Sequence, residues 1–201
     1  MNVREFKRAL SADLYRYYGR YSFAVFIRAL IGGVGAKYTI WLRLAAYLRS
    51  KGRCWLPVYY FVRVVQNHYS FKFGIDIPCN AKIGEGLYIG HFGAIVVSPD
   101  AVIGKNCNLS QGVTIGMVPR GRGMGCPKIG DNVYIAPGAK IIGKVEIGDN
   151  VAIGANCVVT KSFQNYAVVV GVPGRVISYE GSRGYILNTS YDEIVKCGSN
   201  E

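Results

Sequence analysis

Aliphatic or small residues recur at every sixth position through the second half of the chain, often within short runs such as "KIG", "YIG" and "EIG". A period of six fits neither an amphipathic helix nor a plain alternating strand. It suits a solenoid in which each hexad supplies one short strand and one turn, and three hexads close a coil. A sandwich of short strands is the alternative, but it gives no reason for a fixed register of six. The predicted inward positions are Ile77, Ile83, Ile89, Ile95, Ala101, Cys107, Val113, Ile129, Ile135, Ile141, Ile147, Ile153 and Val159.

Residues typical of turns follow the aliphatic position of these hexads, as in "IGEGLY", "IGDNVY" and "IGANCV". We expect Gly, Asn and Asp there because tight turns need backbone angles that bulkier residues resist. The series is interrupted once, by "MVPRGRGMGCPK" at 117–128. This glycine-rich segment has no apolar period and carries Arg120 and Arg122. It predicts a loop that projects from the coil, and insertions in solenoids tend to lie on the binding face.

Residues 1–74 show a different pattern, which predicts helices. The first is amphipathic, and two long apolar stretches broken by single Arg or Lys residues follow it. No run reaches 18 uncharged apolar residues, so we do not expect a helix that spans a membrane. The predicted organisation is a helical segment at 1–74, a mainly β coil domain at 75–177 and a C-terminal tail at 178–201. The apolar face of the first helix comprises Val3, Phe6, Leu10, Leu14 and Tyr17.

Charge and aromatic residues are concentrated in the helical segment. Residues 1–74 hold thirteen Lys or Arg against two acidic residues, a net charge of +11, and 17 of the 25 aromatic residues. The remainder has a net charge of +1. Cations mixed with Tyr, Trp and Leu suit helices that lie on an anionic membrane surface. The alternative is a cap that only covers the end of the coil. The stretches are too apolar for a phosphate-facing surface, so nucleic acid is not an expected partner.

The six cysteines form no C-x-x-C pair. Neither a structural zinc site nor a redox motif is therefore expected, and no other cluster of metal ligands is apparent in the sequence. Scattered cysteines are typical of a reducing compartment, which predicts a cytoplasmic protein.

Four segments together carry a resemblance to a known family: "DIPCNAKIG", "GHFGAIV", the loop ending in "CPKIG", and "GVPGRVI". In them the chain resembles the left-handed parallel β-helix acyltransferases with hexapeptide repeats. The similarity runs from about residue 75 to 177, and it is strongest to the branch of serine acetyltransferase-like proteins and surface polysaccharide O-acetyltransferases. It implies a left-handed β-helix, a homotrimer and transfer of an acetyl group from acetyl-CoA to a hydroxyl.

The resemblance assigns His91 as the general base and Asp76 as the residue that orients it. A neutral imidazole can take the proton of an attacking alcohol near pH 7. A carboxylate on the other ring nitrogen fixes the tautomer and stabilises the imidazolium. The alternative is that His91 is only a polar turn residue and Asp76 only opens the first hexad. His68 has no such support, and we interpret it as structural.

Coenzyme A contacts are likewise implied by the resemblance. Pro137 and Ala155 match turn positions that border the pantetheine arm. Thr160, Lys161 and Arg175 match positions near the nucleotide, where a cation can meet phosphate. Either cation could instead be a solvated surface charge.

The acceptor prediction depends on departures from the serine enzymes. Those enzymes place an aspartate directly before the catalytic histidine and an Arg-His pair before "PKI", where this chain has Gly90 and then Gly125 and Cys126. Losing charged hydrogen bonds costs about 1.5–3 kcal/mol each. The sequence therefore predicts a sugar hydroxyl of surface or capsular polysaccharide, presented on a lipid carrier at the inner face of the plasma membrane. Serine O-acetyltransferase is the alternative.

The mechanism we expect is direct attack in a ternary complex, with Gly90, Arg120, Arg122 and Cys126 lining the acceptor side. Cys126 is the only candidate nucleophile for an acyl-enzyme route, and no basic partner for it is evident in the sequence. A coil without catalytic activity is a further alternative.

Overall fold

The computed structural model describes residues 1–191, so residues 192–201 of the predicted tail lie outside the described part of the chain. Helices precede strands, as expected. A single 3-10 turn at Arg53–Trp55 lies between the last two helices. The helices are α1 (Val3–Tyr18), α2 (Phe23–Ile31), α3 (Val34–Arg49) and α4 (Leu56–Phe73).

The strands form three sheets, which make the three sides of a prism. Sheet A contains β1 (Ile75–Asp76), β4 (Ile95–Val97), β7 (Thr114–Gly116), β10 (Lys140–Ile142) and β13 (Val158–Val159). Sheet B contains β2 (Lys82–Ile83), β5 (Val102–Ile103), β8 (Lys128–Ile129) and β11 (Glu146–Ile147). Sheet C contains β3 (Tyr88–Ile89), β6 (Asn108–Leu109), β9 (Tyr134–Ile135), β12 (Ala152–Ile153), β14 (Val168–Val170) and β15 (Arg175–Ser178).

Successive coils pair through parallel strands, so that β1 pairs with β4, β4 with β7, and so on around the prism. Only the final pair, β14 with β15, is antiparallel. Twelve of the thirteen predicted inward residues are buried, and Ile83 is half-buried. The predicted left-handed parallel β-helix with a preceding helical segment is confirmed.

The glycines of the "IG" pairs have a different role from the one predicted. Positive φ occurs at turn asparagines such as Asn132 (55°) and Asn150 (57°) and at turn glycines such as Gly86 (77°), whereas Gly130 does not have a positive φ. A Cβ built on Gly130 would lie 2.8 Å from the carbonyl carbon of Gly148 in the next coil. Glycine is needed here because backbones of stacked coils approach too closely for any side chain. The same crowding occurs at Gly84, Gly104 and Gly148.

The helices cover the open end of the first coil. The backbone N–H of Ile89 donates to the Tyr17 hydroxyl over 2.8 Å, and that of Ile77 donates to the Tyr38 hydroxyl over 3.2 Å. Tyrosine hydroxyls therefore take the place of the strand that would continue the coil. The predicted capping contact is present, although Val3 of the predicted apolar face is exposed.

A buried ion pair fixes this cap. Asp13 of α1 accepts bonds from Arg43 of α3 over 2.8 and 3.1 Å, and also from the N–H of Leu87 over 2.8 Å. Arg43 donates in addition to the carbonyls of Ile83 and Gly84, over 2.8 and 2.6 Å. Two helices and the first coil thus meet at one charged cluster, whose members are satisfied by hydrogen bonds.

The segment after β15 runs back along the outside of the coils. Ser182 donates through its hydroxyl to the carbonyl of Asn132 over 2.6 Å, and the ring of Tyr185 stacks on Tyr134 with centroids 4.6 Å apart. Farther along, the side-chain amide of Asn188 donates to the carbonyl of Arg16 in α1 over 3.2 Å. This return segment connects the last coil with the first helix.

Among residues 1–191, no single helix is long and apolar enough to cross a membrane. The pair α2 and α3 passes that test only when taken together, and the two helices are bent by 108°.

Candidate active site

His91 and Asp76 lie on neighbouring segments at one corner of the prism, between sheets C and A. Asp76 ends β1, whose Cα partner in β4 is Val96, and His91 lies in the turn that enters β4. A Cβ on Gly74 would lie 3.2 Å from the amide nitrogen of Ala94, so the two segments are in contact. Both side chains are exposed, and no hydrogen bond joins them within the described residues. The structure thus brings the predicted base and its predicted orienter together without linking them directly.

The turn that carries His91 is held in an unusual backbone conformation. Gly93 and Ala94 have φ values of 110° and 50°. The Gly93 N–H donates to the carbonyl of Phe73 at the end of α4, over 2.9 Å. The helical segment therefore helps to set the position of His91.

A column of turns extends from this loop along the prism axis. The Gly112 N–H donates to the Gly93 carbonyl over 2.8 Å, and the Asn156 N–H donates to the Pro137 carbonyl over 2.9 Å. Gln111 connects the two halves, since its carbonyl accepts from Gly138 over 2.9 Å. Pro137 and Ala155, the positions predicted to border pantetheine, lie in the same column as His91.

Of the positions predicted to meet the nucleotide, Arg175 lies at the end of this column and the other two lie away from it. Thr160 and Lys161 follow β13 and therefore lie at the opposite edge of sheet A from the column. Arg175 opens β15, and the adjacent Gly174 N–H donates to the carbonyl of Val158 over 2.8 Å. These three residues are exposed near the last coil.

The projecting loop also lies across sheet A from His91. It follows β7 and precedes β8, and it closes through an antiparallel bridge between Val118 and Gly125. Arg120 and Arg122 are exposed at its tip. Within one chain the structure does not bring these predicted acceptor-side residues to Gly90 and His91.

Cys126 lies at the base of this loop. Its Sγ is 3.3 Å from the Ser98 Oγ, and the residue is half-buried. Cys54, Cys79, Cys107, Cys126 and Cys157, the cysteines of the described residues, are all free.

Comparison with known proteins identifies the family. Residues 126–161 match the family described as "Bacterial transferase hexapeptide (six repeats)". A protein of Staphylococcus epidermidis named serine acetyltransferase is 40% identical over 146 residues, which are 73% of this chain and 67% of that protein. The chain belongs to the serine acetyltransferase branch of the hexapeptide-repeat acyltransferases. It is an acetyl-CoA-dependent acyltransferase.

Further proteins of this branch are also similar to the chain. A serine acetyltransferase of Staphylococcus aureus is 43% identical over 125 residues, 62% of this chain and 59% of that protein. A serine acetyltransferase of Brucella abortus solved with coenzyme A is 32% identical with a TM-score of 0.73, covering 88% of this chain and 69% of that one. A Neisseria gonorrhoeae serine acetyltransferase solved with serine is 31% identical with a TM-score of 0.70, covering 88% and 70%.

The predicted polysaccharide acceptor is wrong. The relatives and solved neighbours of this acyltransferase are named for serine, which was the alternative. The prediction placed Arg120 and Arg122 on the acceptor side, but it did not weigh them as replacements for the charges missing at Gly90, Gly125 and Cys126. Arg120 and Arg122 lie exposed on the same loop, so guanidinium groups remain available a few residues earlier.

Two polar residues near the column were not predicted. The Lys140 Nζ donates to the Gly112 carbonyl over 2.5 Å and to the Thr114 Oγ1 over 3.1 Å, which places a half-buried cation beside the turn next to the His91 loop. The side-chain oxygen of Gln111 is buried without a hydrogen-bond partner in the described part of the chain. In the sequence a lysine at the start of a strand looks like an ordinary surface residue, and only the coil register shows what Lys140 contacts.

Proposed function

We propose that this acyltransferase transfers the acetyl group of acetyl-CoA to the side-chain hydroxyl of free L-serine. The observation that carries the proposal is the 40% identity to a serine acetyltransferase over 73% of the chain. The exposed His91 at the head of the turn column supports it, because an attacking hydroxyl needs a base at the surface where the thioester can approach.

In the proposed reaction the His91 imidazole takes the proton of the serine hydroxyl as its oxygen attacks the thioester carbonyl. The carbon–sulfur bond then breaks, and the imidazolium returns the proton to the departing coenzyme A thiolate. Asp76 stabilises the imidazolium in the interval. The products are O-acetylserine and coenzyme A, and no acyl-enzyme intermediate is needed.

The proposed coenzyme contacts follow the column. Backbone groups at Pro137 and Ala155 border the pantetheine arm, whose amides require hydrogen-bond partners. Thr160, Lys161 and Arg175 at the last coil meet the nucleotide and its phosphates. The exposure of these side chains supports this arrangement.

We further propose a homotrimer that works in the cytoplasm. In one chain the arginines of the projecting loop and His91 lie at opposite edges of sheet A. A loop from a neighbouring copy would place Arg120 or Arg122 beside His91, where a guanidinium can pair with the serine carboxylate. A threefold arrangement would complete three such sites.

An assay of thiol release with acetyl-CoA and L-serine tests the proposal, with O-acetylserine identified by mass spectrometry. We expect His91→Ala to lower kcat by about 10²- to 10⁴-fold, the contribution typical of a general base. His68→Ala is the matched control, since His68 is exposed on α4 and should be dispensable. Absence of O-acetylserine from the wild-type reaction would contradict the proposal.

The acceptor contact has its own test. Arg120→Gln/Arg122→Gln should raise KM for L-serine about 10- to 100-fold while barely affecting L-serinamide, which lacks the carboxylate. Arg183→Gln, an exposed arginine of the return segment, is the control. Equal effects on both acceptors would exclude a carboxylate contact by the loop.

A further inference from the structure

The outward side of α4 carries exposed apolar side chains, with the polar Asn67 and His68 between Val64 and Phe71. Its exposed large side chains recur at helical spacing and include Tyr60, Phe61, Val64 and Phe71, which are 63%, 65%, 67% and 88% exposed. The opposite side of the helix packs through Val62 and Phe73. Single exposed apolar residues are ordinary, but a group of them on one side of a helix marks an interaction surface.

The helix α2 presents a second row of the same kind. Phe23, Ile27 and Ile31 are 79%, 39% and 77% exposed. Lys37 connects the end of this row with α4, because its ammonium donates to the Ile31 carbonyl over 3.0 Å and lies 5.7 Å from the centroid of the Tyr69 ring. We refer to Phe23, Ile27, Ile31, Tyr60, Phe61, Val64 and Phe71 as the α2/α4 face.

The helices that carry this face contain cations and no acidic residue. Between Asp13 and Asp76 the chain contains no acidic residue, so α2, α3 and α4 carry none. A second copy meeting this face through the same elements would bring cations against cations. An anionic partner is complementary instead. The cations of this interval are Arg16, Arg20, Arg28, Lys37, Arg43, Arg49, Lys51, Arg53, Arg63 and Lys72.

We propose that the α2/α4 face docks on an anionic phospholipid surface. The aromatic and aliphatic rows would enter the boundary between head groups and acyl chains, while exposed cations such as Arg53 and Lys72 meet lipid phosphates. The contact of the His91 loop with Phe73 then places the catalytic corner at the rim of the docked face. This role is independent of which hydroxyl accepts the acetyl group.

Vesicle flotation tests the proposal with the full chain. The wild type should float with vesicles containing 30% phosphatidylglycerol in phosphatidylcholine, and binding to pure phosphatidylcholine should be much weaker. Arg53→Gln/Lys72→Gln should weaken binding about 30-fold at low salt, from about 1 kcal/mol for each cation. Trp55, which is 48% exposed at the start of α4, should shift its emission to shorter wavelength on binding.

Two matched double variants test whether binding to vesicles depends on the α2/α4 face or on any exposed apolar side chain. Phe61→Ser/Val64→Ser should bind at least about tenfold more weakly, since two exposed apolar groups leave the interface. Tyr179→Ser/Leu187→Ser removes side chains that are 63% and 64% exposed far along the chain, and should bind like the wild type.

Three outcomes would overturn the proposal. They are absence of flotation, equal binding to neutral and anionic vesicles, and equal loss in both variant pairs. Light scattering gives a further readout. If Phe61→Ser/Val64→Ser changed the oligomeric state while remaining folded by circular dichroism, a second copy and not lipid would cover this face.

Discussion

The coil and the helical segment are stabilised in opposite ways. In the coil, similar contacts recur from level to level: a buried small or aliphatic residue, a turn residue with positive φ that is most often asparagine, and a glycine under the next backbone. In the helical segment, the contacts that fix it to the coil occur once each, chiefly Asp13 with Arg43 and the two tyrosine hydroxyls. Repetition spreads stability over many small contributions, whereas the cap concentrates it in a few.

The largest loss of stability is expected for a substitution of Asp13 in the cap. Asp13→Asn should lower the free energy of unfolding by about 3–5 kcal/mol, because it leaves the Arg43 guanidinium buried without its partner. Urea denaturation followed by circular dichroism measures the loss. The double variant Asp13→Asn/Arg43→Met should recover part of it, since it removes the unpaired buried charge. If the double variant were less stable than either single one, the pair would not act as a unit.

The corresponding test in the coil is at Gly130. Gly130→Ala should cost about 1–3 kcal/mol, because its Cβ would lie 2.8 Å from the Gly148 backbone and the coils would have to separate. Gly123→Ala is the matched control in the projecting loop, where a Cβ meets nothing within 4 Å. Chemical denaturation of both proteins checks the difference. Equal stability would show that coil spacing relaxes at no cost.

The smallest effect is expected at Glu85, where the two regions meet through a partly buried ion pair. Burial raises the pKa of Glu85, but Arg8 at 2.5 Å and Lys105 at 3.2 Å outweigh this and hold that pKa below its ordinary value of 4.5. A lowered pKa means that the stabilisation is complete above pH 4.5 and is lost as pH falls through the lower, folded-state value.

Glu85→Gln should therefore be at most about 1 kcal/mol less stable than the wild type at neutral pH, and the gap should close under acid. Glu146→Gln is the control, since it breaks a 3.2 Å pair with Lys128 that lies wholly within the coil. Thermal unfolding between pH 3 and pH 7 follows both variants. A gap that widened under acid would reverse the assignment.

The coil has repeated contacts and the helical segment has single ones, and this difference decides how far each could be predicted from the sequence. The coil could be predicted because a hexad carries its own signal, and that signal located residues as different as Ala101, Cys107 and Ile135 in the core. A hexad does not reveal the distance between coils. The predicted reason for glycine at position 130, a special turn angle, was therefore wrong, and the structure shows instead that the backbone of the next coil approaches it closely. The contact between Asp13 and Arg43 spans thirty residues without any periodic sign and could not be predicted.

The residues of the candidate site also differ in how far they could be predicted from the sequence. His91 and Asp76 were assigned by the resemblance, and the register places them at one corner. The structure then adds Lys140, which only coil stacking brings to Gly112. The acceptor was misjudged because it depends on groups that converge from separate segments, which reading three positions in isolation does not capture.

The return segment changes how the coils can unfold. An open solenoid can fray from its last repeat inward, since each repeat contacts only its neighbours. Here residues 179–191 contact the middle coils through Ser182 and the first helix through Asn188. Loss of the last coil would pull this segment from its other attachments, so the two ends of the stack are coupled and unfolding becomes a single cooperative event.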